Sequence, residues 1–260
     1  MNEELTISLV QTELHWENPE KNLQMFSELL SSDDLVTDLI VLPEMFNTGF
    51  TMKSSLFAEE MSGNTVSWMR QKALEKNCVI TGSLIIKENK NFFNRLVWMM
   101  PNGNYHSYDK RHLFRMAGEH NFFTAGKEKV ITTLKGWKIR PLICYDLRFP
   151  VWSRNKNDYD LLIYIANWPE RRSFAWKNLL ISRAIENLSY VAGINRVGSD
   201  GNEILYSGDT AIIDPKGNYI AASRQFEKEI ITISLSYDEL QNYRKSFPAH
   251  LDADDFKIQL

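Results

Sequence analysis

Strand-sized apolar runs alternate with helix-length amphipathic stretches along most of this chain, which restricts it to layered α/β architectures. Leu5 to Val10 is a short apolar run, and Asn18-Pro19 then offers an N-cap and a first-turn proline for a helix to about Ser31. Leu39 to Leu42 reads as a buried strand stopped by Pro43. Asn64 to Lys76 fits a helix with Val66, Met69, Ala73 and Leu74 on one face, and Cys78 to Ile86 fits the next strand. Asn94 to Met100 and Tyr105 to Tyr108 flank the turn Pro101-Asn102-Gly103, a hairpin signal. The pattern then recurs, with strands at Ile139 to Ile143, Leu161 to Ala166 and Tyr190 to Val197 around a helix from Phe174 to Asn187. Ala211 to Ile213 and Tyr219 to Ser223 flank a second turn, Pro215-Lys216-Gly217.

The two turns share four of five positions, Pro101-Asn-Gly-Asn-Tyr105 against Pro215-Lys-Gly-Asn-Tyr219. Duplication of a half-molecule accounts for this, and so does the common use of Pro-x-Gly in hairpins. A length of 260 residues corresponds to ~1.7 domains of about 150. No Gly/Ser-rich or Pro-rich linker divides the chain, so the expectation is one domain over 1–260, with approximately 248–260 a packed or solvated C-terminal extension. Asp252, Asp254 and Asp255 in that tail lack the glycine and distal glutamate of a calcium loop.

Composition removes several function classes. A hydrophobic fraction of 43% and a charged fraction of 24% are those of a globular chain, not a disordered or fibrous one. A formal charge of −3 gives no electrostatic footprint for nucleic acid, so DNA and RNA are not expected partners. No stretch approaches the ~18 consecutive apolar residues of a membrane span, so no membrane association is expected. The opening MNEELTISLVQTELHW has no basic segment followed by an apolar one, and two cysteines make no disulfide framework. These features lead to the expectation of a cytoplasmic protein with reduced thiols.

Chemically useful residues cluster in three words: Leu42-Pro-Glu44-Met-Phe-Asn-Thr-Gly49, Tyr108-Asp-Lys110-Arg-His-Leu113 and Leu142-Ile-Cys144-Tyr-Asp-Leu-Arg148-Phe-Pro150. Each places its reactive residue just past an expected strand, where ligands bind in open α/β sheets. An ordinary thiol is only a few per cent thiolate near neutral pH, so a cysteine nucleophile wants an adjacent base, and Glu44 can be that base. Attack on an amide carbonyl creates an oxyanion that needs a cation or N–H donors; Lys110 and the backbone N–H of Tyr145 are candidates. Protonated Glu44 could then give its proton to departing ammonia and activate water against the thioester.

These three words, in this order, resemble the Glu-Lys-Cys triad of the nitrilase superfamily of carbon–nitrogen hydrolases. The similarity extends from QTELHWENPEKNL through NWPERR and GINRVGSDG to SGDTAIIDPKGN. The resemblance implies a four-layer α-β-β-α sandwich with pseudo-two-fold related halves, a homodimer or larger homo-oligomer, and no metal and no cofactor. It also implies a second glutamate that helps position substrate, mapped to Glu119 in RMAGEHNFF. NWPERR and CYDLRFP are similar to the omega-amidase branch, which implies hydrolysis of the terminal amide of 2-oxoglutaramate or 2-oxosuccinamate to the 2-oxo dicarboxylate and ammonia. Such a small-molecule substrate carries a carboxylate remote from its amide, and Arg171 or Arg172 beside Trp168 could clamp it bidentately.

Each residue also has an ordinary structural explanation. Cys144 alone would be a small buried hydrophobe, Glu44 a carboxylate favoured by a helix N-terminus, and Lys110 part of a solvated charge run; only their joint order carries the chemistry. Cys78 has no motif around it and reads as core. His15, His106, His112, His120 and His250 show no metal-ligand spacing. His112 or His120 could serve Cys144 in a Cys-His pair, although the papain-type word is absent, as is a G-x-S-x-G elbow. The same triad acting on an N-carbamoyl or peptide-derived amide is the enzymatic alternative. An idle scaffold or ligand sensor, or a partner-binding face made of Trp152, Trp168 and Trp176, are the non-enzymatic ones.

Overall fold

The alternation becomes two mixed β-sheets packed face to face, with helices covering their outer faces. In a computed structural model of the chain, which describes residues 4–259, the first half runs β1 (Leu5–Gln11), α1 (Pro19–Leu29), β2 (Leu39–Val41), α2 (Ser54–Phe57), α3 (Asn64–Lys76), β3 (Val79–Glu88), β4 (Asn91–Met99) and β5 (Tyr105–Asp109). The second half runs β6 (Thr132–Leu134), β7 (Trp137–Ile143), α4 (Pro150–Ser153), β8 (Leu161–Ala166), α5 (Ser173–Asn187), β9 (Tyr190–Asn195), β10 (Val197–Ser199), β11 (Leu205–Ser207), β12 (Ala211–Ile213) and β13 (Tyr219–Ala222). The chain then returns through β14 (Glu229–Leu235) and α6 (Tyr237–Ser246).

Local chemistry sets the helix ends. The Asn18 side chain accepts the Lys21 N–H at 3.1 Å, with Pro19 in the first turn, so α1 starts where expected; it ends at Leu29, not Ser31. α3 has the expected limits and closes on Asn77, whose φ of 47° is tolerated by asparagine better than by most residues. The strand expected through Val197 is interrupted at Arg196, after which β10 pairs only with β11.

Among the described residues the sheet orders are β14-β1-β2-β3-β4-β5 and β13-β12-β9-β8-β7-β6. In each, three consecutive strands are parallel, β1-β2-β3 and β7-β8-β9. Two antiparallel strands extend each set on one side, β4-β5 and β12-β13, and one antiparallel strand closes the other side, β14 or β6. The two halves therefore share one topology. The repeated turn word sits at corresponding places, between β4 and β5 and between β12 and β13. Its hydrogen bonds also correspond: Met100 N–H to Asn104 C=O and Gly103 N–H to Met100 C=O at one turn, Asp214 N–H to Asn218 C=O and Gly217 N–H to Asp214 C=O at the other. Gly103 and Gly217, at φ 82° and 91°, supply the left-handed residue that both turns require.

Side-chain alternation in the first sheet defines the layers. Leu5, Ile7, Leu9, Leu39, Val41, Leu96 and Trp98 join the core shared with the second sheet. Val10, Ile40, Leu42, Ile80, Val97 and Met99 pack instead with Phe26 and Leu30 and with Val66, Met69 and Ala73 of α3. Trp176, Leu180 and Ala184 of α5 cover the second sheet. Trp152, Trp168 and Trp176 are all buried, so the expectation of a partner-binding face made from them is overturned. Beyond α6 the extension makes a short turn at Ala249–Asp252, and Lys156 reaches the Asp255 carboxylate at 3.0 Å; Leu260 lies outside the described residues. No helix among the described residues is long and apolar enough to cross a membrane.

Close packing of α5 on β9 makes one glycine critical. A Cβ on Gly193 would stand 2.4 Å from Leu180 Cδ1 and 2.9 Å from Trp176 Cζ2. Gly193→Ala should therefore lower unfolding free energy by about 1–3 kcal/mol in urea denaturation, through overpacking.

Candidate active site

Glu44, Lys110 and Cys144 follow β2, β5 and β7 at one end of the two sheets. Glu44 and Lys110 are fully buried and Cys144 is 8% exposed. Met45 and Cys144 both adopt φ of 44°, which is costly for a residue with a side chain and is held only where the surroundings enforce it.

The Lys110 ammonium sits between two carboxylates. It donates to Glu44 Oε1 at 2.9 Å and to both oxygens of Glu119 at 3.0 Å, and lies 5.0 Å from the centre of the Phe50 ring. The Asn94 side-chain amide donates to Glu44 Oε1 at 2.8 Å and to Glu119 Oε1 at 3.4 Å, while the Asn94 carbonyl accepts the Lys110 N–H. Glu119 Oε2 also accepts the Phe114 N–H. From the second half, the Asn167 N–H donates to Glu44 Oε2 at 2.9 Å, and the Asn167 carbonyl lies 3.9 Å from Cys144 Sγ.

Electrostatics follow from two carboxylates sharing one cation away from water. Burial alone would push Lys110 down, but Glu119 and Glu44 outweigh it and hold the ammonium well above the ordinary lysine range. Burial raises Glu119, opposed by Lys110 and assisted by Glu44. Burial, followed by the Glu44 carboxylate, pushes the Cys144 thiol well above its ordinary range, with Lys110 opposing. These surroundings favour the protonated thiol at Cys144.

Beside this cluster is a cavity of about 170 Å³ bordered by Cys144 and Lys110. Phe50, Phe114, Trp168, Ile204 and Tyr206 form much of its wall, and Arg148, Arg171 and Arg172 reach it too. Arg148 lies 5.0 Å over Trp168 and Arg172 lies 5.5 Å over Phe114. Arg172 Nη1 is buried without a hydrogen-bond partner among the described residues. Burial and then its neighbours Arg171 and Arg148 disfavour the Arg172 charge.

All the residues singled out in the sequence meet here: Glu44, Lys110, Glu119 and Cys144 in or beside the buried cluster, and Tyr145, Trp168, Arg171 and Arg172 along the cavity. Asn94, Asn167 and Arg148 were not anticipated. Asn167 and Arg148 stand in words already flagged, NWPERR and CYDLRFP, whereas Asn94 lies within a strand and carries no local signal. The Cys-His alternative finds no support: His112 Nδ1 is bonded to Asp146 Oδ1 at 2.8 Å, its ring stacks on Phe149, and His120 is exposed.

The family model for carbon–nitrogen hydrolases matches residues 6–245. The chain is 48% identical over 256 residues, 98% of each chain, to the omega-amidase YafV of Escherichia coli K12. It is 32% identical to the 2-oxoglutaramate amidase of Bacillus subtilis, across 95% of this chain and 96% of that one. The structure of XC1258 from Xanthomonas campestris, a CN-hydrolase superfamily protein with an arsenic adduct in its active site, superposes with a TM-score of 0.96 at 43% identity, covering 99% and 100% of the two chains.

The raised Glu119 has a signed consequence. A carboxyl whose folded pKa exceeds its unfolded value contributes stability that is present below the ordinary 4.5 and lost as pH rises through the folded value. Glu119→Gln removes that loss. Its unfolding free energy relative to wild type should therefore rise with pH above 4.5, in denaturation series at several pH values; a flat or falling difference would contradict the assignment.

Proposed function

The chain belongs to the carbon–nitrogen hydrolase family and is an amidase, and from that premise we propose that it hydrolyses the terminal amide of small 2-oxo acid amides such as 2-oxoglutaramate and 2-oxosuccinamate. The observation that carries this reading is the placement of three arginines around the small cavity that Cys144 and Lys110 border. The cavity is well below drug-sized pockets in volume. Arg172 has a buried, unpartnered Nη1 and a charge disfavoured by its surroundings, and a bound carboxylate would relieve both. Support also comes from the similarity to the omega-amidase of E. coli.

In the proposed reaction Glu44 takes the Cys144 proton as Sγ attacks the amide carbon. Lys110 and the Tyr145 N–H stabilise the oxyanion, and Glu119, held on Lys110, positions it. Collapse breaks the C–N bond, and Glu44 returns the proton so that ammonia leaves and a thioester remains. Glu44 then deprotonates water, whose oxygen attacks the thioester carbonyl; the C–S bond breaks, Glu44 returns that proton to Sγ to restore the thiol, and the acid product leaves as its carboxylate after giving its proton to ammonia or water. Asn167, through its N–H on Glu44 Oε2, helps keep that carboxylate turned toward the sulfur.

We place the reaction in the cytoplasm, consistent with two free thiols, Cys78 and Cys144. We further propose a homodimer or larger assembly, supported by the exposed apolar side chains Phe174 and Ile185 on α5 and Tyr219 and Ile220 on β13.

Ammonia release from 2-oxoglutaramate, glutamine, asparagine, a nitrile and an N-carbamoyl amino acid tests the substrate class. Turnover of the oxo acid amide should predominate and vanish in Cys144→Ala. Turnover confined to the N-carbamoyl compound, with carbon dioxide released, would reassign the substrate. Arg172→Ala should raise KM for 2-oxoglutaramate roughly ten- to hundredfold with kcat less affected, as for loss of a charged hydrogen bond worth ~1.5–3 kcal/mol. An unchanged KM would remove Arg172 from carboxylate binding.

A further inference from the structure

Directly behind Cys144 is a buried carboxylate with no role in the chemistry above. Asp146 lies in the tight turn Cys144–Arg148 and is fully buried. Its Oδ2 accepts the Tyr108 hydroxyl at 2.7 Å and the Ile143 N–H at 3.1 Å, while its Oδ1 accepts the His112 N–H at 3.0 Å and His112 Nδ1 at 2.8 Å. Ile143 immediately precedes Cys144, and Tyr108 and His112 flank Lys110 at two residues on either side. The Tyr108 hydroxyl in turn accepts from Trp152 Nε1 at 2.9 Å and from the Arg111 N–H at 3.3 Å. The His112 ring is stacked 3.8 Å from Phe149 and lies edge-on to Trp152, so the imidazole that completes this set is itself fixed.

Given the roles proposed above for Cys144 and Lys110, on which this inference rests, we propose that Asp146 is a positioning residue that sets the register between the nucleophile and the lysine, with His112 and Tyr108 as its two arms on the lysine segment. Two physical features lead to it. Cys144 is held at φ 44°, so something must offset the backbone cost, and the bond from the preceding N–H to Asp146 fastens the strand end at that point. Cys144 and Lys110 come from different sheets, whose facing side chains could slide without breaking a backbone bond. A carboxylate receiving donors from both segments removes that freedom, because any relative shift leaves a buried charge short of a donor. His112 thus contributes by orientation through Asp146 and not as a base for the thiol.

A suitable control is Asp160, a carboxylate in the same sheet that is 5% exposed and accepts Arg244 at 2.7 Å and the Lys138 N–H at 2.9 Å. It precedes β8, at the end of that strand remote from Asn167 and the cavity. The variants Asp146→Asn, Tyr108→Phe, His112→Phe, Asp160→Asn and Cys144→Ala should be compared for kcat and KM on 2-oxoglutaramate, for the rate of Cys144 alkylation by iodoacetamide, and for Tm. Asp146→Asn should lose roughly ten- to hundredfold in kcat, as expected for small misplacements of reacting groups. Its KM should stay within about twofold of wild type, and its alkylation rate should change. Tyr108→Phe and His112→Phe should each show a smaller loss of the same kind, while Asp160→Asn should lower Tm and retain wild-type kcat and alkylation. Wild-type kcat in Asp146→Asn at temperatures well below its Tm overturns the inference, as does an equal kcat loss in Asp160→Asn. Should Asp146→Asn not fold, wild-type kcat in both arm variants overturns it. Activity surviving in Cys144→Ala would instead overturn the proposed function, whereas an inactive Cys144→Ala beside a fully active Asp146→Asn rejects only the role of Asp146.

Discussion

The site depends on an ammonium held between two carboxylates, the three side chains being closed to solvent. Burial disfavours the charge of Lys110, and Glu44 and Glu119 beside it favour that charge by more. The arrangement is not a means of stabilising the fold, because desolvating three charged groups roughly cancels what their attraction returns. Its effect is geometric. One Glu44 oxygen is occupied by Lys110 and Asn94 from the first half, and the other by the Asn167 N–H from the second. A single carboxylate thus reads the docking of both sheets.

The shared topology of the halves shows how asymmetric the use of a duplicated frame can be. Glu44 follows β2 and Asn167 follows β8, the middle parallel strands of their respective sheets, and the two residues are hydrogen-bonded to each other. Cys144 follows β7, whose counterpart is β1. At the end of β1, Gln11 uses its amide on the Arg224 and Glu227 carbonyls and accepts the Ser223 hydroxyl and the Thr210 N–H. Those bonds saturate it. Corresponding ends of the frame therefore carry the candidate site in one place and a satisfied structural clamp in the other, and the backbone differs with them, since Cys144 opens a tight turn at φ 44°.

What the sequence discloses about this frame follows the physics of each element. Long periodic segments such as Asn64–Lys76 carry their own limits, because propensity, the spacing of Val66, Met69 and Ala73 and the left-handed closure at Asn77 agree, although Leu74, expected on that face, is 68% exposed. β6, β10 and β11, three residues each, exist only because a neighbour pairs with them, and nothing local marks them. α6 was not anticipated, and its start is fixed by the Ser236 hydroxyl, which accepts the Glu239 N–H. At the site, residues just past strands were legible because chain direction places them at one end of a sheet. Asn94 was not, since its partner Glu44 is 50 residues away and meets it only across folded strands. The same long-range logic removed His112 from service to the thiol: its partner, Asp146, lies 34 residues on in the cysteine's own turn.

The distribution of charge around the cavity also suits a direction of reaction under the proposed chemistry. Arginines stand along the wall, and carboxylates stand behind the nucleophile. A 2-oxo acid amide presents an anion to the former and a neutral amide to the latter. Hydrolysis converts that neutral end into a second carboxylate in the neighbourhood of Glu44 and Glu119, whose charges Lys110 alone already balances. In a low-dielectric site such like-charge proximity is unfavourable. The carboxylates beside Cys144 therefore disfavour retaining the product.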